Sequence, residues 1–111
     1  MDKLIEKFQD HLTLDLNYSS KTVESYVFDI EHFFICCHAM ELDITNISID
    51  DIRTFLTSEL MDNISKRTIK RRLSALRHFY QHMVNEGDVK INPFLIVSSP
   101  RPDKRFPDVL F

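Results

Sequence analysis

The sequence predicts an all-α protein of four helices followed by an extended C-terminal linker. The 111 residues, of which 43% are hydrophobic, suit one domain with one core. The chain has a single glycine, and its four prolines all lie at or after position 93. Because helix breakers are rare before that point and apolar residues recur every three or four positions, helices are favoured over turn-rich β structure.

The first two helices are predicted by apolar stripes. The first helix is expected over about Lys3–Leu16, and a break at 17–19 separates it from the second. The second helix takes Ser19 as its N-cap and runs to about Met40. The stripes are Leu4, Ile5, Phe8 and Leu12 in the first helix, and Val23, Tyr26, Val27, Ile30, Phe33, Phe34 and Cys37 in the second.

Capping residues mark the third and fourth helices. Ser48 followed by Asp51 resembles a capping box and opens the third helix. Its apolar face consists of Ile49, Ile52, Phe55 and Leu56. The fourth helix extends from Ser65 to Asn85, because Gly87 accepts the left-handed conformation that ends many helices.

The domain is expected to span residues 1–87, with residues 88–111 as an extended linker. No apolar run is long enough to cross a membrane, and the charged N-terminus is unlike a signal peptide. Cys36 and Cys37 are adjacent and form a poor disulfide pair. These features predict a cytoplasmic protein.

The charge distribution is more informative than the net charge of −3. Residues 1–64 contain 13 acidic and 4 basic residues. Residues 65–80 contain no acid and six cations, which are Lys66, Arg67, Lys70, Arg71, Arg72 and Arg77. The chain is therefore an acidic body with one basic helix.

A helical wheel separates the basic helix into two sides. The core side consists of Ile69, Leu73, Leu76, Tyr80 and Met83, and the other side of Arg67, Lys70, Arg71, Ser74, Arg77, His78 and Gln81. Such a cationic face suits DNA, because phosphates attract cations and an α-helix fits the major groove. A solvated face and a protein interface are the alternatives. Arg72 points sideways, as a salt-bridge or phosphate-rim residue.

Helices two and four both begin with Ser-x-x-Thr, at Ser19 and Ser65. A helix N-terminus carries free N–H groups and a partial positive charge, so it can hold a phosphate. Lys21 lies at the first of these ends, and Lys66 and Arg67 lie at the second. The alternative is that both serines are ordinary caps.

Several segments together resemble the N-terminal core-binding (SAM-like) domain of tyrosine site-specific recombinases of the Xer and phage integrase type. The resemblance runs the full length of the chain. The segments are Tyr18–Tyr26 with Asp29, Ile30 and Phe33, then Ile52, Phe55 and Leu56, Ser65–Tyr80, Asn92-Pro93 and 99–110. The most specific are Arg72–Arg77 with Phe79 and Tyr80, followed by Asn92-Pro93.

The resemblance implies one half of a clamp that closes around a recombination half-site. Helices two and four would face double-stranded DNA, and four recombinase subunits would exchange strands through a phosphotyrosyl bond without a metal or other cofactor. Carried over by position, the DNA contacts are Lys66, Arg67, Lys70, Arg71, Ser74 and Arg77 on helix four, and Ser19, Lys21, Thr22 and Ser25 on helix two.

No catalytic residue carries over, because the family's nucleophile and its Arg, Lys and His partners belong to a second domain. Tyr18, Tyr26 and Tyr80 lie in the helical module without such a cluster. The fragment is therefore expected to bind DNA without being an enzyme, while its parent would be a recombinase. No membrane or small-molecule substrate is implied.

Two alternatives stay open. The parent could be the integrase of a phage or mobile element, but a helix that starts at Lys3 leaves no room for an arm-binding domain and favours chromosome dimer resolution. Alternatively, the fragment could be an interaction module for an acidic protein.

Three other features of the sequence are candidates for a function. On the outer face of helix two, Phe28 and Ile35 could touch a missing domain or another subunit, or could pack on helix one or four. The pairs His32…Cys36 and His78…His82 have a spacing that can serve zinc, but both are interpreted as surface groups rather than a metal site.

Overall fold

The computed structural model describes residues 2–97, which form four helices and no strand. The helices are α1 (Asp2–Asp10), α2 (Ser20–Ala39), α3 (Ile49–Met61) and α4 (Lys66–Glu86). A π-helical turn covers His11–Asp15, and 3₁₀ turns cover Ile44–Asn46 and Pro93–Leu95. The predicted all-α fold is confirmed. Within residues 2–97, no helix is long and apolar enough to span a membrane.

The ends of α2, α3 and α4 follow from local capping, as predicted. The hydroxyls of Ser19, Ser48 and Ser65 each accept a hydrogen bond from the backbone N–H three residues later. In turn, the Ser48 N–H donates a hydrogen bond to the Asp51 carboxylate, which completes a capping box. Gly87 ends α4 with φ of 84°, a conformation that glycine adopts without a Cβ clash.

The first helix differs from the prediction of one helix over residues 3–16. The α-helix ends at Asp10, and the π turn follows, with the Leu16 N–H bonded to the His11 carbonyl over 3.1 Å. Leu12 is nevertheless fully buried. The apolar spacing predicts which residues face the core, but the same spacing fits an α-helical or a π-helical turn.

Helix α4 lies at the centre of the packing and contacts α1, α2, α3 and the last 3₁₀ turn. The five core positions predicted from its wheel are all buried. The Tyr80 hydroxyl donates to the Ile44 carbonyl over 2.7 Å, and its ring meets Phe33 and Phe94. The largest fully buried side chains are Phe8, Leu12, Ile30, Phe33, Ile52, Ile69, Leu73, Leu76, Phe79, Tyr80, Met83 and Phe94.

The segment 88–97 packs against the bundle, which differs from the predicted linker over residues 88–111. Val89, Phe94 and Val97 are buried, and Phe94 is fully so. The Asn92 amide donates to the Arg77 carbonyl over 2.9 Å, and its side-chain oxygen caps the 3₁₀ turn. The core therefore continues past the expected boundary at residue 87. The rest of the predicted linker, residues 98–111, lies outside the described residues.

Candidate nucleic-acid interface

The first turns of α4 present a group of exposed cations and one hydroxyl. Lys66, Arg67, Lys70 and Ser74 are all exposed. Within residues 2–97, Arg67 and Lys70 have no hydrogen-bond or ion-pair partner. Their charges are therefore available to an anionic ligand such as a phosphate.

Arg71 is exposed on the same helix but is ion-paired with α2. Its Nε and Nη2 donate to the two carboxylate oxygens of Asp29, over 3.0 Å and 2.8 Å. The Arg71 side chain is 50% exposed, whereas that of Asp29 is 1% exposed. These hydrogen bonds raise the pKa of Arg71, so its guanidinium stays charged. No acid of α4 lies near Arg71 in the sequence, but α2 supplies a carboxylate that balances its charge.

Arg72 lies in a buried polar cluster that joins three helices. Its Nη1 donates to the Glu59 carboxylate of α3, and its Nε lies 3.7 Å from Asp29. His32 Nε2 is 3.2 Å from both Arg72 Nη1 and the Glu59 carboxylate. Only 11% of the Arg72 side chain is exposed. Of the two roles that the sequence left open, the structure gives the salt bridge.

The two carboxylates that hold these arginines, Asp29 and Glu59, were not among the site residues predicted from the sequence. Both are buried, and each lies at core spacing on its helix. Asp29 follows Tyr26 by three residues, and Glu59 follows Phe55 by four. An acid on an apolar stripe is a usable signal, because a buried carboxylate requires a cationic or hydrogen-bonding partner.

Arg77 was predicted to lie on the exposed face of α4, and this placement is wrong. The residue is half-buried, and its guanidinium donates to the Phe94 and Val97 carbonyls over 3.1 Å and 3.2 Å. The segment 88–97 folds back over this side of α4 and offers carbonyl acceptors. The wheel could not show this, because the segment was assigned to the linker.

His78 was also expected on the outer face and is instead half-buried between helices. Its ring meets the edges of Phe8 and Tyr26, with ring centroids 5.2 Å and 5.6 Å away. Burial lowers the pKa of His78, and the nearby His11 and His82 lower it further. Gln81 is half-buried too, so the exposed cationic face of α4 is confined to its first half.

The candidate residues at the start of α2 are exposed. They are Ser19, Lys21, Thr22 and Ser25. Ser19 acts as a cap, and its hydroxyl also lies 2.9 Å from the Thr22 hydroxyl. Ser25 precedes Asp29 by four residues, so it lies one helical turn from the Arg71–Asp29 pair. The pair therefore connects this part of α2 to the basic half of α4.

The other residues singled out from the sequence have these positions. Phe28 and Ile35 are exposed, so the expected alternative of packing on helix one or four is wrong.

Burial raises the pKa of Cys37 to about 12, which keeps it a thiol. Cys36 is half-buried, with its sulfur 3.8 Å from His32 Nε2. Within residues 2–97, no group of three or more His, Cys, Asp or Glu side chains is arranged to hold a metal ion.

Comparison with known proteins identifies the fold family. The family model for the phage integrase N-terminal SAM-like domain matches residues 5–87. The chain belongs to this family, as the resemblance predicted. Its relatives include proteins named tyrosine recombinase XerC. The one from Bacillus pumilus is 37% identical over 110 residues, which cover 98% of this chain and 36% of the relative.

The Bacillus licheniformis protein of the same name is 38% identical over 105 residues, which cover 94% of this chain and 34% of the relative. The chain thus spans about a third of the length of these curated relatives. No solved structure matches the chain significantly.

Proposed function

We propose that this chain binds double-stranded DNA as the N-terminal half of a clamp in a tyrosine site-specific recombinase. The observation that carries the proposal is the exposed cationic start of α4 in a domain of this family. Arg67 and Lys70 have no partner in the described part of the chain, and no acid of α4 lies beside them. An α-helix with such a face can enter the major groove and neutralise phosphates.

The DNA-binding surface includes both helices that the Arg71–Asp29 pair joins. On α4 it consists of Lys66, Arg67, Lys70, Arg71 and Ser74, and on α2 of Ser19, Lys21, Thr22 and Ser25. The exposed hydroxyls and the N–H groups at the N-terminus of α2 can donate hydrogen bonds to the phosphates of the DNA backbone. We assign Arg77 to the fold rather than to this surface, because backbone carbonyls occupy its donors.

The remainder of the parent protein would supply the catalysis. The relatives are named tyrosine recombinases, which supports a parent that recombines DNA through a tyrosine. We propose that this parent acts together with other recombinase subunits. We propose resolution of chromosome dimers as the role of the parent, with mobile-element integration as the alternative. The fragment then positions the catalytic domain on the DNA and has no chemical step of its own.

The test is the salt dependence of DNA binding by the 111-residue chain. Binding is measured as the fluorescence anisotropy of a labelled duplex. Arg67→Ala and Lys70→Ala should each weaken binding and lower the salt slope by about 1, because each removes one phosphate contact. Arg53→Ala is the matched control, since Arg53 is an exposed cation on α3. It should leave the slope unchanged.

Two results would contradict the proposal. One is a wild-type chain that does not bind duplex DNA at low salt. The other is equal slopes for the wild type, Arg67→Ala and Lys70→Ala. If the chain instead bound an acidic protein that excess duplex could not displace, α4 would be a protein-interaction surface.

A further inference from the structure

We propose that Arg71 reads a guanine in the target site and that the buried Asp29 is the residue that positions it. The proposal deepens the proposed DNA-binding function and rests on it. In this proposal Arg71 reads a base, whereas Arg67 and Lys70 bind phosphates, although the sequence places all three on one face of the helix. The carrying observation is a bidentate ion pair that leaves part of the Arg71 guanidinium exposed.

The geometry of the pair determines which donors remain. A guanidinium has five N–H groups in one plane. Asp29 takes the side formed by Nε and Nη2, which leaves both N–H groups of Nη1 and the second one of Nη2. Of these, one N–H of Nη1 and the remaining N–H of Nη2 form the end-on fork of the guanidinium. Guanine O6 and N7 accept two parallel hydrogen bonds from such a fork.

The surroundings of Asp29 make it a rigid support. Its side chain is almost completely buried on α2 and is also close to Arg72. An arginine held in this way loses less conformational freedom when it binds a base than a freely rotating one does. Base recognition needs a fixed direction, so this support favours base reading over a general attraction to phosphate.

Charge leads to the same assignment. Asp29 compensates the charge of Arg71, so the pair contributes little to the attraction of phosphates. Arg67 and Lys70 are uncompensated within the described residues and suit phosphates, which require charge but little direction. Among the other arginines of α4, Arg72 is almost buried and Arg77 donates to backbone carbonyls. Among the arginines of α4, only Arg71 is both anchored by a carboxylate and half exposed.

The first test measures base preference with the 111-residue chain and a pool of duplexes that carry a randomised segment. Sequencing of the bound fraction should show that the wild type enriches guanine at one position. Arg71→Lys keeps the charge but loses the planar fork. We expect it to reduce the preference for guanine over the other bases by about 5- to 150-fold. The unselected pool should still be bound with a similar salt slope.

Arg53→Lys is the matched control for this experiment, because Arg53 is an exposed arginine on α3, outside the proposed DNA-binding surface. The same change from arginine to lysine at that position should keep the guanine preference of the wild type. A wild type that enriches no guanine, or a preference that survives Arg71→Lys, would overturn base reading by Arg71. Neither result depends on the salt slopes of Arg67→Ala and Lys70→Ala, which test DNA binding itself.

The second test separates positioning by Asp29 from a merely structural role. Asp29→Asn removes the compensating charge and the bidentate support. If Asp29 positions Arg71, this variant should lose guanine preference but bind the unselected pool at least as tightly, with a steeper salt dependence. A loss of both preference and overall affinity in the folded variant would assign Asp29 to the fold alone. Thermal unfolding shows whether Asp29→Asn folds. If it does not fold, Asp29 is required for the fold itself, and the assignment of a separate positioning role is refuted. Arg71→Lys then still tests whether Arg71 reads a base.

Discussion

The cations of α4 have the same formal charge but different surroundings. Lys70 and Arg67 are exposed, Arg71 is paired with Asp29, and Arg72 is held by Glu59. Arg77 donates to carbonyls of the segment 88–97. The surroundings thus decide whether a cation is available to a ligand or stabilises the fold. The consequence is that loss of Arg77 should affect stability more than DNA binding.

We expect Arg77→Ala to lower the free energy of unfolding by about 1–3 kcal/mol, because two buried or half-buried carbonyls lose a charged donor. Urea unfolding measures this loss. Arg67→Ala is the comparison and should change stability by no more than about 0.5 kcal/mol, since Arg67 is exposed. The opposite ranking, with Arg67→Ala the more destabilising, would contradict the assignment of Arg77 to the fold.

At the scale of elements, the 3₁₀ turn Pro93–Leu95 completes the core between α3 and α4. Phe94 has no exposed surface, and its ring meets Phe33 and Tyr80 with centroids 5.6 Å and 5.0 Å away. Its neighbour Leu95 is 62% exposed. A short segment after the last helix thus contributes one of the larger buried side chains of the domain.

The two neighbouring residues provide a matched pair of substitutions. Phe94→Ala should lower the free energy of unfolding by about 3–5 kcal/mol, because it removes buried apolar surface and leaves a cavity. Leu95→Ala should change it by about 0.5 kcal/mol or less. Chemical unfolding of both variants measures the difference. Similar stability of Phe94→Ala and the wild type would show that the segment 88–97 behaves as a linker after all.

At the scale of the whole molecule, three histidines lie where α1, the π turn and α4 meet. The rings of His11 and His82 have centroids 4.7 Å apart, and His78 is 6.1 Å from His11. His82 is buried, and its Nδ1 has no hydrogen-bond partner among residues 2–97. Lys7 also contributes positive charge at this junction. Burial and neighbouring positive charge therefore lower the pKa of His78 and His82 at this junction.

Burial lowers the pKa of both His78 and His82, and the charge of His11 adds to the effect. Glu86 and Asp88 act in the opposite direction on His82 but do not outweigh burial. In the unfolded chain both imidazoles would have a pKa of about 6.5. Between the lowered pKa values and about 6.5, the unfolded state binds more protons, so stability falls as the pH decreases through this range.

The urea midpoint should therefore be lower at about pH 5.5 than at about pH 7.5. His82→Phe removes one of the responsible groups and should reduce this difference. His38→Gln is the control, because His38 is exposed at the end of α2, and it should keep the wild-type difference. Equal midpoints at the two pH values in the wild type would contradict the interpretation of the junction.

Much of the fold could be predicted because its signals are local. A serine cap acts on the N–H three residues later, and Gly87 ends α4 through its own backbone conformation. Apolar periodicity identified the five core positions of α4, since every third or fourth residue of a helix faces the same side. The same rules missed the π turn at His11–Asp15, whose wider hydrogen-bonding pattern has no distinct apolar spacing.

By itself, the sequence determined the four helices, their caps, the concentration of cations on α4 and, by resemblance, the family. Only the tertiary structure decided which cations remain available. Asp29 is 42 positions from Arg71, and the Phe94 carbonyl is 17 positions from Arg77. The physical reason is that a charge is neutralised by whichever partner lies nearby in space. A helical wheel records only the direction of a side chain from its own helix.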